Sequence, residues 1–151
     1  MPTNSTPHIL IERHGPILRV QMNRPEKKNA LTAVMYEALI DALKTADSDP
    51  TIHVVFLIGS GDSYSAGNDL ADFKIPPSDA AARFITQISV TETPIVAAVN
   101  GIAVGVGVTM LLHCDLVYAA DSALFHFVFV DAQNVHQLFV FLFGQKVEMF
   151  E

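Results

Sequence analysis

Short apolar runs and longer amphipathic stretches alternate along the chain, and this pattern predicts alternating strands and helices. The strand-like runs are rich in apolar residues and lie at 9–12, 17–22, 53–58, 95–99, 116–119 and 125–130. Helices are predicted at residues 33–45 with Thr32 as N-cap, at residues 79–90 with Ser78 as cap, and from Gly105 to about Leu112. His14-Gly15-Pro16 between the first two runs indicates a hairpin.

This alternation predicts an α/β fold with a mostly parallel sheet and right-handed crossovers. No linker or internal repeat divides residues 1–151, so a single domain is expected. The pattern changes after Val130. Leu138–Phe143 is a run of six apolar residues, three of them Phe, and it is either a buried strand or an exposed, aggregation-prone segment.

Composition narrows the class of protein. Half of the 151 residues are hydrophobic and 17% are charged, which excludes a disordered chain, and no apolar run reaches the roughly 18 residues that span a membrane. The net charge of −7 argues against a nucleic-acid partner. Cys114 is the single cysteine and is expected to be a buried, inert thiol. The first seven residues lack signal-peptide and transit-peptide features, so a cytoplasmic location is expected.

Two segments place small residues between a strand and a helix. Ser60–Phe73 follows the apolar run Val54–Ile58, and Pro94–Gly107 contains a strand followed by Gly101, Gly105 and Gly107. Glycines let the backbone approach a ligand closely, and backbone N–H groups at such turns can bind an oxyanion. Two donors, one from each segment, could hold one oxyanion.

A third segment concentrates positive charge. Asn23–Leu31 carries Arg24, Lys27 and Lys28, three of the nine basic residues of the chain, around a proline turn. Such a loop could bind an anionic ligand. It could equally be a solvated charged loop.

Taken together, these three segments resemble the crotonase (enoyl-CoA hydratase/isomerase) superfamily over about residues 9–130. The motif Ser65-Ala66-Gly67-Asn68-Asp69-Leu70 is most similar to that of the Δ3,Δ2-enoyl-CoA isomerase branch. The resemblance implies a crotonase/ClpP-like spiral of ββα units, here limited to the N-terminal core. C-terminal helices would be absent, 131–151 would be a divergent tail, and the chain would be a truncated family member. It also implies an acyl-CoA thioester as substrate, no cofactor or metal, no membrane partner, and a homotrimer or hexamer.

The resemblance further implies roles for individual residues. Asn68 and Val106 would supply the two oxyanion-hole donors through their main chains, which leaves their side chains free to vary. Arg24 or Lys28 would lie near a CoA phosphate, and Asn29 and Asn100 would hold turns. The substrate contacts implied are Arg24, Lys28, Ala30, Ser65, Ala66, Gly67, Asn68, Asp69, Leu70 and Gly105.

The acid–base residues depart from the family pattern. Thr109 stands where hydratases carry a glutamate, and Ala132–Val135 stands where the isomerase branch carries a Pro-Glu-Gly turn. Asp131 is the nearest carboxylate, and family precedent gives an aspartate there no catalytic duty. The sequence therefore leaves two hypotheses: an enoyl-CoA isomerase, or a non-catalytic crotonase-like module that binds acyl-CoA.

Other chemistries find less support in the sequence. Ser65 is not in a Gly-x-Ser-x-Gly elbow, and the glycines from Gly101 onward do not form a dinucleotide fingerprint. The histidines have no metal-ligand spacing, and His113 and His126, in apolar surroundings, are expected to be packed.

Overall fold

The computed structural model describes residues 6–72 and 78–127. Asp131, the Ala132–Val135 segment and the Leu138–Phe143 run lie outside these ranges. Eight strands lie within the described ranges: β1 Ile9–His14, β2 Ile17–Met22, β3 Val54–Gly59, β4 Ser63–Ser65, β5 Ile95–Val99, β6 Ile102–Val104, β7 Leu116–Ala119 and β8 Leu124–His126. The helices are α1 Ala33–Ser48, α2 Ala80–Val90 and α3 Val106–Thr109, with 3₁₀ turns at Pro25–Lys27, Leu70–Asp72 and Met110–His113.

The strands form two sheets. The first has the order β1-β2-β3-β5-β7, in which only β1 and β2 are antiparallel, and the second is parallel with the order β4-β6-β8. Strands β3, β5 and β7 each turn sharply into the next strand, which lies in the second sheet. This repeated strand–strand–crossover path confirms the predicted α/β class and the spiral of ββα units.

The core lies between one face of the five-stranded sheet and helices α1 and α2. Alternate residues of β2, β3 and β5 are buried there, including Val20, Val55 and Ala97, each at most 1% exposed. The rings of Tyr36 on α1 and Phe84 on α2 pack with centroids 5.5 Å apart. Burying one large apolar side chain stabilises the fold by about 1.5–3 kcal/mol.

The corners between the two sheets leave no room for side chains. A Cβ atom on Gly101 would lie 1.9 Å from the carbonyl oxygen of Asp62, so the β5–β6 corner needs glycine. Strands β4 and β6 were not predicted because each has only three residues, too few to form an alternating pattern against the adjacent glycine-bearing turns.

The predicted helix boundaries hold with small differences. Thr32 caps α1 as expected, since its hydroxyl accepts a hydrogen bond from the Met35 N–H at 3.3 Å. Helix α2 begins at Ala80, and Ser78 Oγ accepts from the Ala80 N–H at 3.2 Å. The third helix is α-helical only over Val106–Thr109. It tightens to 3₁₀ geometry before β7, and its last turn closes with an i, i+3 bond from the Cys114 N–H to the Leu111 carbonyl. Within the described ranges, every helix is too short or too polar to cross a membrane.

Candidate functional site

Asn29 holds the basic loop against the first glycine segment. Its side chain is fully buried: Oδ1 accepts from the Arg24 N–H at 2.8 Å, while Nδ2 donates to the carbonyls of Ser60 at 2.9 Å and Ser63 at 2.8 Å. Its φ of 55° is left-handed, a conformation that asparagine tolerates better than most residues. The structural role predicted for Asn29 is confirmed.

Asn100 holds two segments together at the β5–β6 corner. Its Nδ2 donates to the carbonyls of Gly61 at 2.8 Å and Ser63 at 3.3 Å. The Asn100 side chain therefore ties the second glycine segment to the first, as predicted. Its buried Oδ1 accepts no hydrogen bond from the part of the chain that the structure describes.

Ser65 supports the first glycine segment from beneath. It is fully buried, its hydroxyl donates to the Asn29 carbonyl at 2.9 Å, and it accepts from the Gly67 N–H at 3.1 Å. The expectation that Ser65 contacts substrate is therefore corrected, because the residue has no exposed surface to offer a ligand. Ala66 next to it is half-buried and donates its N–H to the Lys28 carbonyl at 2.8 Å.

Gly67 brings the two glycine segments into contact. Its φ is +85°, and a Cβ atom there would lie 2.7 Å from the Val104 carbonyl oxygen and 3.7 Å from the Val106 nitrogen. Only glycine fits this turn, and the turn packs directly against the start of α3. The Gly67 carbonyl accepts from the Leu31 N–H at 2.7 Å, which fixes the turn on its other side.

This packing brings together the two turns that carry the N–H groups of Asn68 and Val106. Neither donates a hydrogen bond to another group of residues 6–72 and 78–127. Val106 is the first residue of α3, where an N–H has no intrahelical acceptor. Gly105 before it has a φ of 55° and donates to the His126 carbonyl at 2.9 Å. As whole residues, Asn68 is exposed and Val106 is half-buried.

The Asn68 side chain has a partner that the sequence did not reveal. The Tyr36 hydroxyl donates a short hydrogen bond to Asn68 Oδ1. Tyr36 is 3% exposed, and its burial raises the pKa of the phenol. The expectation that the Asn68 side chain is free to vary concerned only its main-chain role, and this hydrogen bond gives the side chain a structural role as well. An i, i+3, i+4 reading of α1 places Tyr36 on its buried face but does not show which residue its hydroxyl meets.

A pocket of about 70 Å³, open to solvent, lies beside Asn68. Tyr36 and the backbone-tethered acids Asp69 and Asp72 line its polar side. Small and apolar residues line the rest: Leu31, Ala33, Ala80 and Ala81, with Ser78 at one end. Leu70, a predicted substrate contact, lies on the surface nearby and is 80% exposed.

Arg24 forms an ion pair with Asp69. Its Nη1 contacts Asp69 Oδ2 and also donates to the Ala30 carbonyl at 3.1 Å, and the two side chains are only 14% and 13% exposed. The hydrogen bond from Arg24 holds the pKa of Asp69 below its usual range. Arg24 thus braces the loop around Ala30, and its predicted contact with a phosphate stays a prediction.

Lys28 is more accessible. It pairs with Asp62 at 2.8 Å, but both side chains are more than half exposed. The hydrogen bond from Lys28 lowers the pKa of Asp62. An exposed pair of this kind is held weakly, so an incoming anion could compete for the ammonium group.

The remaining candidates have structural surroundings. The Thr109 hydroxyl donates to the Gly105 carbonyl at 3.2 Å. Burial raises the pKa of the Cys114 thiol to about 12, consistent with an inert cysteine. His113 is half-buried, whereas His126 is exposed rather than packed.

A five-stranded and a three-stranded sheet, joined by glycine corners and built from repeated strand–strand–crossover units, are typical of the crotonase fold. The sequence model of the enoyl-CoA hydratase/isomerase family matches residues 12–134, so the chain belongs to this family. The predicted superfamily is confirmed.

Two of the curated relatives that this chain matches are enoyl-CoA delta isomerases. The rat protein enoyl-CoA delta isomerase 2 is 44% identical over 128 residues, which are 78% of this chain and 32% of the rat protein. Mouse enoyl-CoA delta isomerase 3, peroxisomal, is 38% identical over 84% of this chain and 43% of its own length. Escherichia coli 1,2-epoxyphenylacetyl-CoA isomerase is 34% identical over 75% and 47%. The chain spans about a third to a half of the length of these relatives.

Solved structures also superpose on this chain. An enoyl-CoA hydratase/isomerase from Pseudoalteromonas atlantica T6c superposes with a TM-score of 0.75 at 48% identity, covering 78% of this chain and 49% of that one. Pseudomonas aeruginosa OdaA gives a TM-score of 0.78 at 39% identity, with coverage of 82% and 52%.

Proposed function

We propose that this protein binds an acyl-CoA thioester and stabilises its enolate through the backbone N–H groups of Asn68 and Val106. The observation that carries the proposal is that both N–H groups lack a partner among the described residues and lie on turns held together at Gly67. Removing one donor from such an oxyanion hole typically raises a reaction barrier by about 3–4 kcal/mol.

The reaction we propose is Δ3,Δ2-enoyl-CoA isomerisation, in fatty-acid oxidation. Loss of a proton from C2 of a 3-enoyl thioester gives a dienolate whose charge lies on the thioester oxygen, and return of the proton at C4 moves the double bond. The two donors would stabilise that charge. The similarity to enoyl-CoA delta isomerases supports this choice over hydration.

The acyl group would occupy the pocket beside Asn68. Leu31, Ala33 and Ala80 offer it apolar surface, and the pocket adjoins one of the two donors. The exposed ammonium of Lys28 would attract a CoA phosphate. A homotrimer or hexamer and a cytoplasmic location stay predictions.

A specific observation favours the second candidate, a module that binds acyl-CoA without turnover. Near the two donors, the described acids already have backbone or charged partners: Asp69 binds Arg24, and Asp72 accepts from the Ala33 N–H at 2.6 Å. Thr109 cannot act as a carboxylate. A positioned general base supplies about 10²–10⁴-fold of a rate, and Asp131, which lies outside the described residues, is the candidate base that the sequence offers.

Calorimetric titration with a 3-enoyl-CoA and with free CoA tests the binding step. We expect micromolar to millimolar affinity for the enoyl-CoA, weaker binding of CoA, and weakening as salt rises. Lys28→Ala should reduce the salt dependence, whereas Lys44→Ala, on the exposed side of α1, should not. Absence of binding to both ligands would contradict the proposal.

A further inference from the structure

The turn that carries Asn68 is attached to the segment just before α1. The Leu31 N–H donates to the Gly67 carbonyl at 2.7 Å, and the Leu31 carbonyl accepts from the Asp69 N–H at 2.9 Å. These two main-chain bonds hold the residues on both sides of Asn68. Because a trans peptide directs its C=O and N–H to opposite sides, the bond at the Gly67 carbonyl turns the Asn68 N–H away from Leu31.

These two bonds leave one rotation open. Both of them end on Leu31, and two attachments to one residue fix an axis but not the rotation about it. Ser65 Oγ holds the preceding peptide by accepting from the Gly67 N–H at 3.1 Å. Glycine has wide conformational freedom, so this bond does not fix the peptide that follows Gly67. The direction of the Asn68 N–H therefore needs a further attachment, away from Leu31.

Tyr36 on α1 supplies that attachment through the Asn68 side chain. Its hydroxyl donates to Asn68 Oδ1, and among the described residues this is the hydrogen bond that the hydroxyl makes. Tyr36 is 3% exposed, and its ring packs against Phe84 with centroids 5.5 Å apart, so the helical core fixes the position of the phenol. A phenylalanine would fill the same space without burying a polar group. The hydroxyl therefore has its use in the bond to Asn68.

An oxyanion hole depends on the direction of its donors. A donor must lie about 2.7–3.1 Å from the place that the oxyanion will occupy, and a misplacement of about 1 Å can cost about 10²-fold in rate. A bond that stops the Asn68 turn from rocking therefore bears directly on the strength of the proposed site.

We propose that Tyr36 is a positioning residue of the oxyanion hole. Its hydroxyl, through Asn68 Oδ1, holds the Asn68 N–H in the direction that a thioester oxygen requires. The inference rests on the proposed function, because it assigns Tyr36 a role in that same site.

The absorbance of bound 3-phenylacryloyl-CoA tests this role, because its red shift reports polarisation of the thioester. Tyr36→Phe removes the hydroxyl and keeps the ring, whereas Asn68→Ala removes the acceptor and keeps the N–H. We expect both variants to bind the thioester with little change in dissociation constant but to give a clearly smaller red shift than the unmodified chain. The double variant should lose no more than either single variant, since both substitutions remove the same bond.

Tyr64→Phe is the matched control. Tyr64 is fully buried, and its hydroxyl contacts the Met110 sulfur at 3.4 Å, so this variant also loses a buried hydroxyl but not the bond to Asn68. It should keep the full red shift. Urea unfolding shows whether each variant is folded under the assay conditions. If Tyr36→Phe does not fold, Asn68→Ala decides alone, because it alters an exposed residue and leaves the contact between α1 and α2 intact.

The outcomes separate this inference from the proposed function. A full red shift in both Tyr36→Phe and Asn68→Ala would overturn the positioning role and leave the oxyanion hole standing. An equal loss in Tyr64→Phe would assign the effect to lower stability, and a further loss in the double variant would show that Tyr36 and Asn68 act separately; either result would also overturn the role. Absence of a red shift in the unmodified chain would overturn the proposed function and this inference with it.

Discussion

The phenol of Tyr36, buried between α1 and α2, donates a hydrogen bond to the exposed carboxamide of Asn68. This bond ties the turn that carries one proposed oxyanion donor to the helical core. The two partners differ in burial, because Asn68 is an exposed residue whereas only 3% of Tyr36 is exposed.

We therefore predict different costs for the two single substitutions. Asn68→Ala strands the buried hydroxyl and should cost about 1–3 kcal/mol of unfolding free energy, whereas Tyr36→Phe should cost about 0.5–1.5 kcal/mol. Urea unfolding of both variants and of the double variant measures the coupling. Strictly additive costs would mean that the bond contributes nothing.

Replacing Gly67 should damage both the fold and the site. Gly67→Ala combines a left-handed φ with a Cβ atom 2.7 Å from the Val104 carbonyl oxygen, so we expect a loss of roughly 2–4 kcal/mol and of acyl-CoA binding. Gly15→Ala is the matched control, because its φ is +59° and nothing lies within 4 Å of the added atom. It should cost only about 1 kcal/mol. Equal losses would show that the contact at Val104 is unimportant.

The Arg24–Asp69 pair should make stability depend on pH. The pKa of Asp69 is lower in the folded chain than its ordinary value near 3.9, so the pair stabilises the fold above about pH 4 and loses that effect as pH falls through the folded pKa. Asp69→Asn should cost about 1–2 kcal/mol at pH 7 and progressively less in acid.

Denaturant midpoints from pH 7 to pH 2 measure this difference. Asp121→Asn, at an exposed position, is the control and should leave the profile unchanged. A constant difference between Asp69→Asn and the unmodified chain across this range would contradict the assignment.

Hydratase activity should be little or absent in this chain. Thr109 offers no carboxylate to activate water, and the loss of one positioned base costs about 10²–10⁴-fold in rate. A coupled assay with 2-enoyl-CoA and 3-enoyl-CoA separates hydration from isomerisation. Robust hydration would refute the alignment of Thr109, and isomerisation that disappears in Asp131→Asn would identify Asp131 as the base.

Local pattern was enough to predict most of the fold. The β-branched run before Gly59 predicts a strand, and Thr32 predicts the start of a helix, because each signal lies within a few consecutive residues. Strands β4 and β6 escaped prediction because three residues at a corner are defined by packing against a neighbouring strand, not by periodicity. The switch of the third helix to 3₁₀ geometry likewise follows from the short return to β7.

The candidate site, too, could be predicted only in part from the sequence. The glycine turns could be predicted because backbone conformation limits which residues fit there, whereas the role of Asn29 was implied by the family resemblance. The partners of Arg24 and Asn68 could not, since Asp69 and Tyr36 lie 45 and 32 positions away in the sequence. Ser65 shares its motif with exposed residues, and only the fold shows that it faces inward.

The most direct test of the proposed function is the absorbance of a conjugated acyl-CoA, such as a 3-phenylacryloyl thioester, bound to two variants of Val106. Val106→Pro deletes one proposed donor, and proline is tolerated at the first position of a helix. Val106→Ala keeps the N–H. We predict a red shift of the bound thioester with the unmodified chain and with Val106→Ala, and a markedly smaller shift with folded Val106→Pro that still binds it. The same red shift in all three proteins would contradict the oxyanion hole.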